Sequence, residues 1–304
     1  MENTLEFEKY LAENKNPFRI LKTPAKDTLV SILEREEENC LFPTHDLDNA
    51  LREMEELYDR GKLYLRWTQQ VGDKRRPFAV PNGRFAYFTA KLVPFIKRQP
   101  IHPSAHGGEK GWSANKSLQT HLPVASAFSF DLADAFNNQG ITQVFDFFYN
   151  AFEKLGDTER RECAGFLSNV CTVTTNEQRS LPQGSLHGIA LFNRILHGID
   201  QKLSSQSATR GLTYTRWVDD MTISSSLPLD AEEFMGAVEL TSQYAPVSQT
   251  KVFYQRGEPI YLLGQVIERG RVFKNSKVER EAKKTKPLNY HEWFNGPRRY
   301  DKWT

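Results

Sequence analysis

Cysteine is scarce in this chain, with Cys40, Cys163 and Cys171 in 304 residues and no Cys-x-x-Cys spacing. A sparse, odd set excludes a disulfide framework and offers no zinc knuckle. Long apolar runs are missing too, and the opening MENTLEFEKYLAENK is acidic instead of charged-then-apolar. The expectation is therefore no membrane span and a reducing, cytoplasmic setting. Internal repeats and low-complexity linkers are absent. A net charge of one sign is lacking as well, since the formal total is only +2. That total conceals segregation: residues 1–60 hold 15 acidic against 8 basic side chains, residues 61–99 hold 9 basic against Asp73 alone, and residues 266–304 hold 11 basic against 5 acidic. Local basic blocks are what a polyanion-binding protein requires, and ordinary solvated faces are the alternative.

What is present suffices for a core, at 39% hydrophobic residues. Residues 44–60 offer Thr44 or Asp46 as a cap and then Leu47, Leu51, Met54, Leu57 and Tyr58 at helical spacing. From 63 to 88, strand-like pieces alternate with the turn signals Gly72-Asp73 and Pro81-Asn82-Gly83, predicting a basic β-hairpin. Residues 102–121 read as a loop entering a short helix. The irregular spacing of His102, His106 and His121, without partnering cysteine, favours satisfied or solvent-facing rings over a metal site. Val144, Phe145, Phe148, Phe152 and Leu155 form a helical stripe, and a second helix is expected after the Pro182-Gln183-Gly184 turn, with Ile189, Phe192, Ile195, Leu196, Ile199 and Leu203 inward. Helical 230–244 and two or three strands over 251–273 complete an α+β pattern with a mixed or antiparallel sheet backed by helices.

The chemistry centres on YTRWVDDMTISSS, residues 214–226, where Asp219 and Asp220 interrupt a strand-like run. Aspartates are at home in hairpin turns, so a plain turn is one explanation. A metal site is the other, and it needs a third carboxylate. Asp131 supplies one, ending the apolar strand FSFD about ninety residues earlier. If the two strands lie side by side, the carboxylates converge as oxygen ligands for two divalent cations in phosphoryl transfer. Successive strand side chains face opposite ways, so the bend has to redirect one of the adjacent pair, and Asp219 is expected to matter more to metal.

The order FSFDLADAF, LPQGSLHGIALFN, YTRWVDDMTIS, YLLG, preceded by KRRPFAVP and SAHGGEKGWS, resembles the motifs of bacterial reverse transcriptases related to retron, group II intron-like and antiphage-defence enzymes. The resemblance spans about residues 62 to 268. It implies a right-hand polymerase: an acidic helical segment over 1–60, fingers over 61–123, a palm with an antiparallel sheet over 124–255, and primer grip plus short basic thumb over 256–304. It further implies an RNA-directed DNA polymerase using Mg²⁺ as two ions, with Mn²⁺ as a substitute. Its partners would be dNTPs, DNA product, an RNA template or structured noncoding RNA, and an effector protein or second copy, with no membrane. Rival readings are template-independent or protein-primed synthesis on the same fold, and a noncatalytic RNA-binding module.

Carried onto this sequence, the resemblance makes Asp131, Asp219 and Asp220 catalytic, with the Leu132 carbonyl as a further metal ligand. Arg76, Asp134, Ala135, Phe136, Gln183 and Lys251 would bind the dNTP, with Phe136 the steric gate against a ribose 2′-OH. Trp217, Leu263 and Gly264 would seat the primer. The chain departs from the family pattern in Trp217-Val218 before the paired aspartates and in Gly188 where serine is common, a change expected to loosen the following helix. It also departs from the common retron forms at 117–121 and 262–264.

Overall fold

The computed structural model describes residues 16–35, 47–71, 74–175 and 178–274. The expected caps Thr44 and Asp46 and the basic tail from 275 onward lie outside them. Asn16 accepts from the Phe18 amide (2.9 Å) and caps α1 (Pro17–Ile20), whose proline at the first turn forgoes a donor the helix would leave unpaired. Helices α2 (Thr23–Glu34) and α3 (Leu47–Asp59) follow. The stripe predicted for α3 is real: Leu47, Leu51 and Met54 are buried, and Leu57 and Tyr58 pack at its margin.

Strands β1 (Tyr64–Val71) and β2 (Lys74–Pro81) form the expected basic hairpin, in register from Tyr64↔Pro81 to Val71↔Lys74. Most of β1 is exposed, so the hairpin projects from the body. The run after Gly83 departs from the strand-like expectation. Asn82 and Gly83 open helix α4 (Gly83–Arg98), which buries Phe85, Phe88, Leu92, Phe95 and Ile96 along one face. Aromatic residues favour strands only weakly, and packing against α3 decides the matter.

Beyond α5 (Ala114–Gln119), capped by Ser113 accepting from the Lys116 amide (3.1 Å), comes β3 (Ser126–Leu132). Then follow α6 (Ile141–Ala151), α7 (Asp157–Val170), the small hairpin β4 (Val173–Thr175) and β5 (Gln178–Ser180), α8 (Leu186–Ile195) and α9 (His197–Thr209). Strands β6 (Thr213–Trp217) and β7 (Asp220–Ser225), helix α10 (Glu232–Ser242), β8 (Val247–Arg256), β9 (Ile260–Leu262), β10 (Gln265–Glu268) and β11 (Arg271–Lys274) complete the described order. The helix expected over 181–203 is two helices meeting at Leu196, and the strands expected over 251–273 are four.

The central sheet runs β6-β7-β3-β8, antiparallel throughout. Alternation along β3 sends Phe128 and Phe130 to the helix-backed core, where Phe128 stacks on Phe234 of α10 at 5.7 Å and 2°. Ala127, Ser129 and Asp131 take the other face. Its lower half is covered by α5 and the sheet β11-β10-β9, through Leu118, Ala127, Ile260, Leu262 and Ile267. His121 seals that contact, its Nδ1 on Ser224 Oγ (2.7 Å) and Nε2 on Thr215 Oγ1 (2.8 Å), and burial lowers its pKa to about 4. His106 meets Ser117 Oγ (2.8 Å) and stacks on Trp112, so these rings are satisfied side chains, as the sequence suggested. The upper half of the face carries Asp131, which is buried at 4% exposure. Among the described residues no helix is long and apolar enough to cross a membrane.

Candidate active site

The hairpin β6–β7 closes Trp217 directly onto Asp220, leaving only Val218 and Asp219 in its turn. Across the next ladder Asp220 lies opposite Asp131, so these two carboxylates share one face of the sheet, Asp131 buried and Asp220 exposed. In a regular strand Asp219 would point away. The turn redirects it, with Val218 at φ +58° and the Asp219 carbonyl accepting from the Leu132 amide (3.1 Å). Carboxylate oxygens of Asp131, Asp219 and Asp220 consequently all fall within 4.8 Å of one another. On its other side β3 loses register with β8: Phe130 pairs with Val252 and Leu132 with Val247, so residues 248–251 bulge beside Asp131. Lys251, from that bulge, ion-pairs with Asp131.

Three carboxylates this close repel one another. Burial raises the Asp219 pKa, opposed by the charges of Arg76 and Arg216. Burial and then the neighbouring Asp219 charge push Asp220 up to about 6. Asp220 is solvent-open as a residue, yet protein crowds its carboxyl enough for desolvation to lead. The native state therefore holds this proton more tightly than the unfolded chain between about pH 4 and 6. The group costs stability progressively as pH rises through that window, and fully above it. Asp220→Asn is expected to raise the metal-free melting temperature by a few degrees at pH 7.5, on the order of 1 kcal/mol after discounting for solvent screening, with the gain vanishing near pH 4. Melting curves at the two pH values check this. Hard, crowded oxygen donors, with Lys251 paired to Asp131 and the charge of Arg76 acting on Asp219, fit a divalent cation.

A family model described as reverse transcriptase (RNA-dependent DNA polymerase) matches residues 69–264, a span that begins in the basic hairpin and ends at the β9–β10 turn. This chain belongs to the reverse transcriptase family. That family implies a palm-and-fingers polymerase fold, and the antiparallel central sheet backed by helices is consistent with it. Relatives include the retron Ec86 reverse transcriptase of Escherichia coli, 29% identical over 123 residues, covering 40% of this chain and 35% of the relative. The retron Mx162 reverse transcriptase of Myxococcus xanthus is 27% identical over 177 residues, covering 55% and 36%. The retron Mx65 enzyme of the same organism is 28% identical over 163 residues, covering 50% and 36%. This chain thus spans little more than a third of the length of each.

Within this reverse transcriptase frame the other expected residues lie at five separate points of the fold. Arg76, on β2, is near enough for its charge to act on Asp219. Asp134 takes φ +46° in the turn after β3 and accepts from Asn137 Nδ2 (2.8 Å), Ala135 is buried, and Phe136 stacks on Phe192 at 4.9 Å and 16°. Gln183 sits at the base of the β1–β2 hairpin: its carbonyl accepts from the Ala79 amide (2.9 Å), and it lines a cavity of about 300 Å³ with Trp67, Phe78, Asn137 and Thr174. Trp217 is half-buried at the edge of the turn. Leu263 and Gly264 form the two-residue β9–β10 turn with φ +48° and +70°, the twist a tight hairpin favours but a strained conformation for leucine.

Gly188 corrects one expectation. A Cβ there would lie 2.4 Å from the Pro182 carbonyl oxygen and 2.8 Å from Ser185 Oγ, and the Gly188 amide donates to that same Oγ (3.1 Å). The glycine permits a close approach that holds the turn against the helix, so it tightens what it was expected to loosen. Gly188→Ser is expected to cost ~2–3 kcal/mol through overpacking, read as a lowered denaturant midpoint. Sequence reasoning missed Arg216, Asp200 and Asn193, which meet beneath the Val218–Asp219 turn. One arginine in a strand and one aspartate in a helix carry no signal that they will pair.

Proposed function

We propose that this chain is an RNA-directed DNA polymerase that adds dNTPs to a primer 3′ hydroxyl. The convergence of Asp131, Asp219 and Asp220 within 4.8 Å of one another carries the reading. In it, Asp131, Asp219 and the Leu132 carbonyl hold divalent metal, Mg²⁺ by preference, and Asp220 tunes the cluster's charge. When bound, two such ions would activate the attacking hydroxyl and neutralise the leaving phosphates. The protein groups do the rest. Arg76 grips the triphosphate with a planar fork of donors, and the Asp134 and Ala135 amides and Gln183 orient the nucleotide. Phe136 shuts out the 2′-hydroxyl. Lys251 exchanges its carboxylate for substrate phosphate and supplies a proton to the leaving group, while Trp217, Leu263 and Gly264 seat the primer end.

The proposed division is fingers over 61–123, palm over 124–255 and primer grip with basic thumb from 256. The small sheet β9–β11, packed on the palm through Ile260 and Leu262, supports its last boundary. A structured noncoding RNA as template or scaffold, and a role in antiphage defence, follow as the biological setting, with the retron relatives in support. The test is incorporation of each labelled dNTP by purified protein with Mg²⁺, with and without a primed RNA template, and with rNTPs in parallel. Template-dependent DNA synthesis is the expected result. Synthesis without added template would replace this reading with an untemplated or protein-primed one, and no synthesis on any template would replace it with RNA binding alone.

A further inference from the structure

Arg216 is the largest fully buried side chain among the described residues. Its guanidinium donates from Nε to Asp200 Oδ1 (2.8 Å), from Nη2 to Asp200 Oδ2 (2.7 Å) and the Asn193 carbonyl (3.2 Å), and from Nη1 to Asn193 Oδ1 (2.9 Å) and the Val218 carbonyl (2.7 Å). Tyr214 Oη completes the cage by donating to Asp200 Oδ1 (2.7 Å). All five guanidinium protons have acceptors. An ion pair of this kind is a poor source of stability, because taking both charges out of water offsets most of their attraction. An apolar pair of equal volume would fill the same space. What it could not do is donate to the Val218 carbonyl.

That carbonyl belongs to the peptide joining Val218 to Asp219. Val218 is β-branched and sits at φ +58°, a conformation such residues avoid, and one that persists only where the surroundings impose it. The surroundings here do so from two sides. Below, Arg216 holds the carbonyl. Alongside, the segment 104–109 is bound to the Arg216 backbone: the Arg216 amide donates to the Ser104 carbonyl (2.7 Å) and the His106 amide to the Arg216 carbonyl (2.8 Å). Gly107 lies so close that a Cβ would come within 2.3 Å of the Val218 nitrogen. Asn193 joins the two sides, donating to the Gly107 carbonyl (2.7 Å) and to Glu109 Oε1 (3.1 Å) while accepting from Arg216.

We propose that Arg216, caged by Asp200 and Asn193 and clamped by the 104–109 segment, is a positioning residue that fixes the Val218–Asp219 peptide and so the reach of the Asp219 carboxylate toward Asp131. The inference rests on the proposed metal role of Asp131 and Asp219. Removing the lock frees the strained turn to relax and spreads the carboxylates, without touching the basic hairpin.

The test compares full-length Arg216→Lys, Asn193→Ala, Val218→Gly, Asn193→Ala with Val218→Gly, and Asp219→Ala. Each is measured for Mn²⁺ affinity by electron paramagnetic resonance, for single-nucleotide kcat, and for primer-template binding by anisotropy, with circular dichroism confirming folding. Arg216→Lys and Asn193→Ala are expected to weaken Mn²⁺ about 10-fold and lower kcat at least as much, with primer-template affinity within about twofold. Because glycine takes a positive φ unaided at this turn position, the Asn193→Ala loss should shrink to under about threefold in the Val218→Gly background. If one lock variant does not fold, the other carries the comparison. Folded lock variants with parental Mn²⁺ affinity would overturn the proposal, and so would a loss that Val218→Gly leaves undiminished or that extends equally to primer-template binding. Asp219→Ala that binds Mn²⁺ as the parent does would instead overturn the metal assignment itself.

Discussion

Asp219→Asn is expected to lower the rate of dNTP incorporation about 10³-fold while leaving primer-template affinity within twofold. The substitution keeps the side-chain volume and one carbonyl oxygen, so the turn and its bond to the Leu132 amide persist. It removes one formal negative charge from a cluster whose oxygens lie within 4.8 Å of one another. Interactions with developing charge in a partly dry site are worth on the order of 10²–10³ in rate each, and an anionic metal ligand belongs at the top of that range. In the proposed reading nucleic-acid binding would draw on basic residues elsewhere, notably the projecting β1–β2 hairpin, and its salt dependence should be unchanged. Asp220→Asn should cost less, since that residue faces solvent beyond the paired Asp131. Single-turnover incorporation and an anisotropy titration across salt concentrations check both points. A variant within tenfold of the parent would leave Asp219 as a turn residue only.

Phe136→Ala is expected to reduce discrimination between dNTP and rNTP about 10²-fold, chiefly by raising kcat/KM for the ribonucleotide. The ring is not a free flap. It stacks on Phe192 of α8, and the Arg216 guanidinium lies 5.8 Å from the Phe192 ring, so Phe136, helix and buried charge form one stack. As the proposed gate, a ring held this firmly would reject an added hydroxyl by steric exclusion, a stronger device than a deformable apolar pocket. Truncation also removes packing at a half-buried position. The stability cost should be ~1–3 kcal/mol, below the 3–5 typical of fully buried phenylalanine. Paired kcat/KM values for dCTP and rCTP, with a denaturation midpoint, separate the two effects. Lost stability with unchanged sugar preference would make Phe136 a packing residue.

Local pattern carried much of this protein. The stripe of α3 is readable because it buries one face at the helical period, while the basic hairpin, the helix after the Pro182 turn and the strands around Asp131 and the Asp219–Asp220 pair are readable from their turn residues and short apolar runs. Helix α7 carried no such signal. Every residue from Glu162 to Val170 is buried, and an element enclosed on all sides has no apolar stripe to read. The segment after Gly83 misled for the opposite reason, since its aromatics suit either state and only packing on α3 selects the helix.

The sequence by itself determined the residue types of the site and their order, and the motif spacing placed the chain in its family. Tertiary structure decided what no spacing encodes. Asp131 and Asp220 meet because β3 and β7 pair in one particular register, and a slip of one residue would turn one of them into the core. Asp219 joins them only because a strained Val218 bends the chain, and Arg216 reaches that bend only because Asp200, from a helix sixteen residues away, compensates its charge. Register, strain and charge compensation are relations between segments far apart in sequence, and they exist only once the chain has folded.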